Sequence, residues 1–175
     1  MQVLLRRISL RNKAEKIQNI LTAENVFDLP DLSSTENYAP GKCVELNEWF
    51  LLEQYSTCNY KYLIIDEYQD TTNYEKITSD LYDKLDYLCC ISNGKCLFQK
   101  VSKNSIVKKR WLGLFGDFTI ENEKPILILG DYIDAVYDKT NDKLYFKNLS
   151  NVTSIFEGID QLYREATEEE VTDFL

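Results

Sequence analysis

Three groups of residues in this chain have types and spacing that could do chemistry. The first is Asp66-Glu67-Tyr68-Gln69-Asp70, directly after the apolar Leu63-Ile64-Ile65. Carboxylates at a strand end can hold Mg²⁺ and position a water for nucleotide hydrolysis. That reaction also needs a glycine-rich loop with Lys and Ser/Thr to cradle the phosphates. None of the six glycines stands in such a frame, so the string reads as a strand end followed by solvated acids. The second group is Asp131, Asp134 and Lys147. A metal-dependent nuclease brings an Asp from one strand together with an acid-x-Lys from the next. Here the residue two before Lys147 is Tyr145. One carboxylate is missing, and a divalent-metal nuclease stands only as a second alternative.

The third group is the cysteines, Cys43, Cys58, Cys89, Cys90 and Cys96, which show no C-x-x-C spacing. Zinc ribbons and thioredoxin-like motifs are excluded, and Cys89, Cys90 and Cys96 sit among apolar neighbours as buried reduced thiols would. The chain has no histidine, which removes Ser-His-Asp and Cys-His relays and histidine-ligated metals. No cofactor, metal site or catalytic residue is assigned, and an enzyme is the less favoured reading.

Charge is more informative. The 175 residues carry 20 Lys+Arg against 29 Asp+Glu, a formal charge of -9. Residues 1–23 hold Arg6, Arg7, Arg11, Lys13 and Lys16 against Glu15, a local +4. Residues 95–116 hold Lys95, Lys100, Lys103, Lys108, Lys109 and Arg110 with no acid, a local +6, which leaves -19 for the remainder. Lys100, Lys103, Lys108, Lys109 and Arg110 are therefore the candidate phosphate-binding residues, with Trp111 packing beneath them. Such cations supply counterion release, and Gln99, Ser102, Asn104 and Ser105 add neutral donors. The competing reading is a solvated hairpin whose lysines neutralise acids of the same fold. The acidic runs offer another alternative: seven acids in 66–86 and six in the last sixteen residues could dock a protein or mimic DNA.

These residues need elements to position them. At 44% hydrophobic and 13% aromatic the chain can build a core, and its length predicts one domain over 1–175. A strand is expected over 1–10 and a helix from Asn12 to Ala23, where Ala14, Ile17, Ile20 and Leu21 fall at helical spacing. Residues 28–42 read as a loop, and Val44–Tyr55 as a helix. Tyr62–Ile65 reads as a strand, and Tyr74–Leu85 as a helix. Tyr87–Ile91 and Cys96–Val101 flank Asn93-Gly94, the strongest short hairpin signal. Ile126–Leu129, Ile133–Tyr137 and Leu144–Lys147 read as further strands, the last two joined by the polar turn 138–143. Val152–Leu175 reads as a closing helix with a capping box at Thr167 and Glu170, ending on apolar Phe174-Leu175. The fold class is α+β, a mostly antiparallel sheet with helices packed on one side and a C-terminal helix. No run reaches the ~20 apolar residues of a membrane span, so a cytoplasmic location is expected and the sequons at Asn148 and Asn151 are silent.

Leu97-Phe98-Gln99-Lys100-Val101, Ile133-Asp134-Ala135-Val136-Tyr137, Lys143-Leu144-Tyr145-Phe146, Ile155-Phe156-Glu157-Gly158-Ile159 and the Tyr163–Leu175 segment carry a resemblance. Over residues 85–175 the chain resembles the KwaB-like family of the bacterial Kiwa anti-phage defence system. The resemblance implies an accessory or effector of defence that contacts DNA and works beside a membrane-embedded protein partner. Full members are longer, which implies a fragment or a stand-alone form. No family catalytic residue transfers. Together these give the expectation of a non-enzymatic binding domain in defence against phage or mobile DNA, contacting nucleic acid or an acidic partner. Self-association is left open.

Overall fold

The computed structural model describes residues 2–10, 13–24, 26–38, 48–57, 75–107, 110–112, 120–122, 125–156, 158–162, 167–169 and 172. Its centre is four antiparallel strands: β5 (Tyr87–Ser92), β6 (Lys95–Lys100), β11 (Ala135–Asp138) and β12 (Lys143–Phe146). The β5–β6 turn forms as expected, with Asn93 at φ 48° and Gly94 at φ 75°, a left-handed pair that matches strand twist. On the β5 side lies a long hairpin of β1 (Gln2–Leu10) and β2 (Lys13–Ala23). On the β12 side lie β4 (Trp49–Glu53) and then the short parallel strand β3 (Thr35–Asn37). The eight strands run in the order β2-β1-β5-β6-β11-β12-β4-β3.

Both faces of this sheet are covered, which is why its strands read as unbroken apolar runs rather than alternating ones. One core gathers Tyr87, Cys89, Ile91, Phe98, Tyr137, Leu144, Phe146 and Phe50. The other gathers Leu88, Cys90, Leu97, Val136 and Trp49 from the opposite pleats. Helical cover is thin. The four-residue α1 (Leu149–Val152) and the 3-10 turn Ile159–Leu162 lie over the first face. A 3-10 segment, Ser79–Lys84, adds partly buried Leu81 and Tyr82 to the second. The α+β class with a mostly antiparallel sheet holds, with short helical pieces on both faces. Among the described residues no helix is long and apolar enough to cross a membrane.

Four expected helices are corrected. Residues 13–23 form β2, because a nine-residue β1 recruits them as its hairpin partner and tertiary pairing overrides the helix-favouring Ala, Glu and Lys. The misleading spacing comes from an irregularity: Leu4 pairs with Leu21 and Leu5 with Asn19. Ile20 is thus an extra residue that breaks the period of two. Val44–Tyr55 holds strand β4, whose Trp49 and Phe50 enter opposite cores. Among the described residues of Tyr74–Leu85, helix covers Ser79–Lys84. The closing helix is interrupted at Thr153–Phe156 and at Gly158, where φ is 93°, although Glu168, Glu169 and Thr172 are helical. The expected strand over 126–129 covers only Ile126–Leu127. Tyr62–Ile65, Asp66–Asp70, Cys43, Cys58 and Phe174-Leu175 lie outside the described residues.

Cys89, Cys90 and Cys96 are thiols outside any disulfide, with no exposure. Burial pushes Cys89 well up and Cys90 to about 12, which disfavours their thiolates, and Cys96 is buried beside them in the first core.

Candidate nucleic-acid interface

The excursion between β6 and β11 holds two short antiparallel ladders. Strand β7 (Ile106–Val107) pairs antiparallel with β10 (Ile126–Leu127), and β8 (Arg110–Leu112) with β9 (Ile120–Asn122). Val107 faces Ile126 and Arg110 faces Asn122, so the two ladders differ by a single residue in register. Both ladders belong to this excursion, the arm, as two separate two-stranded sheets.

The N-terminal hairpin is the other basic segment. Only Val3, Leu4 and Leu5 pair with β5, against Ile91, Cys90 and Cys89. The pairing of β1 with β2 continues to Leu10 opposite Lys13, about 16 Å further at ~3.3 Å per residue. That extension carries Arg6, Arg7, Lys13 and Lys16. It runs toward the end of the sheet where β5 begins at Tyr87. Tyr87 pairs with Lys100, the residue from which the arm departs, so both basic segments leave the sheet at one end.

The six cations of residues 95–116 are thereby divided. Lys95 lies at the opposite end, beside the Asn93-Gly94 turn, with its Nζ 2.8 Å from Asp138. Lys100 is half-buried, and its backbone N–H donates to Asp134. Lys103 is exposed on the 3-10 turn Lys103–Ser105 at the arm's root. Arg110 and Trp111 stand in β8 opposite Asn122 and Glu121. Lys108 and Lys109 lie outside the described residues, and the packing expected of the Trp111 ring lies outside the described side chains. The arm is also less basic than its outgoing strand, since residues 106–127 add Asp117, Glu121 and Glu123 to four cations.

Sequence reasoning marked the more strongly charged ribbon as basic but left it out of the candidate site residues. The local +4 of residues 1–23 was legible, but a strand over 1–10 followed by a helix over 12–23 did not pair its cations along one hairpin. As a hairpin, Arg6, Arg7, Lys13 and Lys16 belong beside Lys100, Lys103 and Arg110 as candidate site residues.

Asp134, the buried acid of the nuclease alternative, is engaged elsewhere. Asp134 is 6% exposed, and its carboxylate accepts from the Lys100 amide at 2.6 Å and from Asn151 Nδ2 at 3.3 Å. Burial pushes its carboxyl up, outweighing those two donors and the Lys100 charge. Asp131 is exposed, and Lys147 Nζ lies 5.4 Å from the centre of the Trp49 ring, a cation–π contact. Among the described residues no group of three or more Cys, Asp and Glu could hold a metal ion.

At the far end Asp138 is structural. It accepts from Lys95 Nζ, from the Thr140 and Asn141 backbone amides, and from Asn141 Nδ2. Burial alone would raise its carboxyl, but Lys95 and Asn141 outweigh it and hold it at about 2. A depressed folded value means the site stabilises above the ordinary carboxylate range and loses that contribution as pH falls toward about 2. Asp138→Asn is expected to cost roughly 2 kcal/mol at pH 7. The gap from wild type should close as pH drops through that window. Urea unfolding of both proteins across acidic pH measures it, and a gap that persists unchanged at the lowest pH would contradict the assignment.

The class is now defined: an α+β domain on a mostly antiparallel eight-stranded sheet, with two ribbons of basic sequence leaving one end. No family model, no curated protein and no solved structure matches this chain.

Proposed function

We propose that this chain is a binding domain that grips nucleic acid with its two ribbons, the β1–β2 hairpin and the β7–β10 arm, in bacterial defence against phage or mobile DNA. The observation that carries the reading is the shared exit. Arg6, Arg7, Lys13 and Lys16 on one ribbon, and Lys103 and Arg110 on the other, belong to segments that leave the sheet at the end marked by the Tyr87–Lys100 pair. A two-stranded ribbon has dimensions that a duplex major groove of about 12 Å admits, and cations distributed along it release counterions from successive phosphates. The overall charge of -9 is compatible with this because the cations are segregated, and the acids elsewhere disfavour any other docking orientation. The role in defence rests on the resemblance of residues 85–175 alone.

The test is the affinity of the intact chain for a short labelled duplex across a salt series. The expected result is measurable binding at low salt that weakens linearly on a log–log plot. Absence of binding at low salt would overturn the reading. Preference for an acidic polypeptide over the duplex would reassign the surface to a protein partner.

A further inference from the structure

We propose that Gln99 and Asp134 form a clamp that sets the direction in which the β7–β10 arm leaves the sheet. This deepens the two-ribbon reading and rests on it for its consequence in binding. Both side chains are almost fully buried, at 3% and 6% exposure. They stand among pleats otherwise occupied by Leu97, Val136 and other apolar groups. A buried amide and a buried carboxylate are costly there unless fully bonded, and their bonds run to the two roots of the arm. Gln99 Nε2 donates to the Gly130 carbonyl at 2.8 Å and to the Tyr132 carbonyl at 2.6 Å, while its Oε1 accepts from the Gly130 amide at 3.2 Å. The returning root is thus held at two residues by one side chain. Asp134, where the returning chain enters the sheet, reaches across to the Lys100 amide on the outgoing root and to Asn151 on α1. One further bond, Ile128 N–H to the Ser105 carbonyl at 2.7 Å, closes the roots on each other.

Gly130 completes the fit. A Cβ there would lie 2.6 Å from the exposed Tyr132 ring, which can swing aside, and 3.1 Å from Gln99 Nε2, a tight approach to a bonded and buried amide, so glycine suits the close approach of loop to amide. Leucine at 99 and alanine at 134 would fill space without specifying a direction. Satisfied polar networks select one arrangement, and here the arrangement selected is the angle between arm and sheet. That angle decides whether the arm and the β1–β2 hairpin can meet one polyanion together, since both must reach it for the second contact to be intramolecular.

Both residues are positioning residues, and hydrogen exchange separates this role from general support of the fold. In Gln99→Met, which keeps the volume and removes the bonds, amides of residues 101–107 and 125–132 should exchange at least about ten-fold faster. Amides of β5, β11 and β12 should keep wild-type protection. A residue that merely held up the fold would lower protection across the whole sheet, and that outcome, or unchanged exchange in the arm, overturns the clamp. Gly130→Ala disturbs the same contact from the loop side and gives the same readout if Gln99→Met does not fold. Duplex affinity of the clamp variants should fall by about ten-fold through lost preorganisation. If wild type binds no duplex, the two-ribbon reading fails, and the exchange data still decide the clamp.

Discussion

Replacing Arg6, Arg7, Lys13 and Lys16 together by alanine should lower duplex affinity by roughly two orders of magnitude at low salt. It should also make the log–log salt dependence shallower by about 3 to 4, near 0.9 for each phosphate contact removed. The four positions lie on the part of the β1–β2 hairpin that runs on beyond Leu5, the last residue paired with β5. Their loss should therefore leave the ladder to the central sheet untouched. The companion variant, Lys103, Lys108, Lys109 and Arg110 to alanine, should weaken binding as well. Its effect should be the smaller one, because the arm's return side carries Glu121 and Glu123. Two ribbons acting on one partner predict that the combined variant loses more than either set, with both contributions visible in the slope. If the hairpin set leaves affinity and slope unchanged while the arm set abolishes binding, the shared exit has no functional meaning and the site reduces to residues 100–111.

How much of this was legible follows from the physics of each segment. The Asn93-Gly94 hairpin and the 135–146 pair were readable because turn chemistry is local: positive φ at Asn93 and Gly94 and a short polar connection fix the partner strand. The β2 and β4 strands were not readable, since their partners lie far away or across an irregular register. Residues 13–23 are helix-prone until β1 pairs with them, and the extra Ile20 disguises the alternation. Trp49-Phe50-Leu51-Leu52 is apolar on both faces, a pattern that a buried helix also shows. The basic segments were legible as charge and not as shape. Nothing in residues 95–116 announces that Lys95 is spent on Asp138 while Lys103 and Arg110 belong to an arm. Gln99 and Asp134 were visible only as a neutral donor and an incomplete nuclease acid. Their use as root-to-root bonds depends on Gly130 and Lys100 converging, which no spacing encodes.

The largest loss of stability should follow Phe156→Ala. Phe156 has no exposure and lies at the junction between the sheet and the segment that closes its first face. Its ring packs edge-on against Phe98 at 5.0 Å and against Tyr55 at 5.5 Å between centroids. The segment it anchors cannot hold itself: α1 is four residues long, far below the length at which a helix is stable alone. Thr153–Phe156 turns back through bonds from the Ile155 and Phe156 amides to the Val152 carbonyl. Packing of Val152, Ile155, Phe156 and Ile159 is therefore what keeps this cover in place. Removing the ring should cost about 3–5 kcal/mol from transfer and cavity terms, a large part of the 5–15 kcal/mol typical of a whole domain. Urea unfolding should show a midpoint shift of that size. A smaller m-value should accompany it, because cover that detaches leaves less surface to expose on unfolding. Phe156→Leu, which refills most of the space, should recover most of the loss. A cost below about 1 kcal/mol for Phe156→Ala would mean that the first face is closed by something other than this segment. Because Phe156 belongs to the core of that face and both ribbons leave the sheet at its end, duplex affinity of the still-folded variant should stay at the wild-type level.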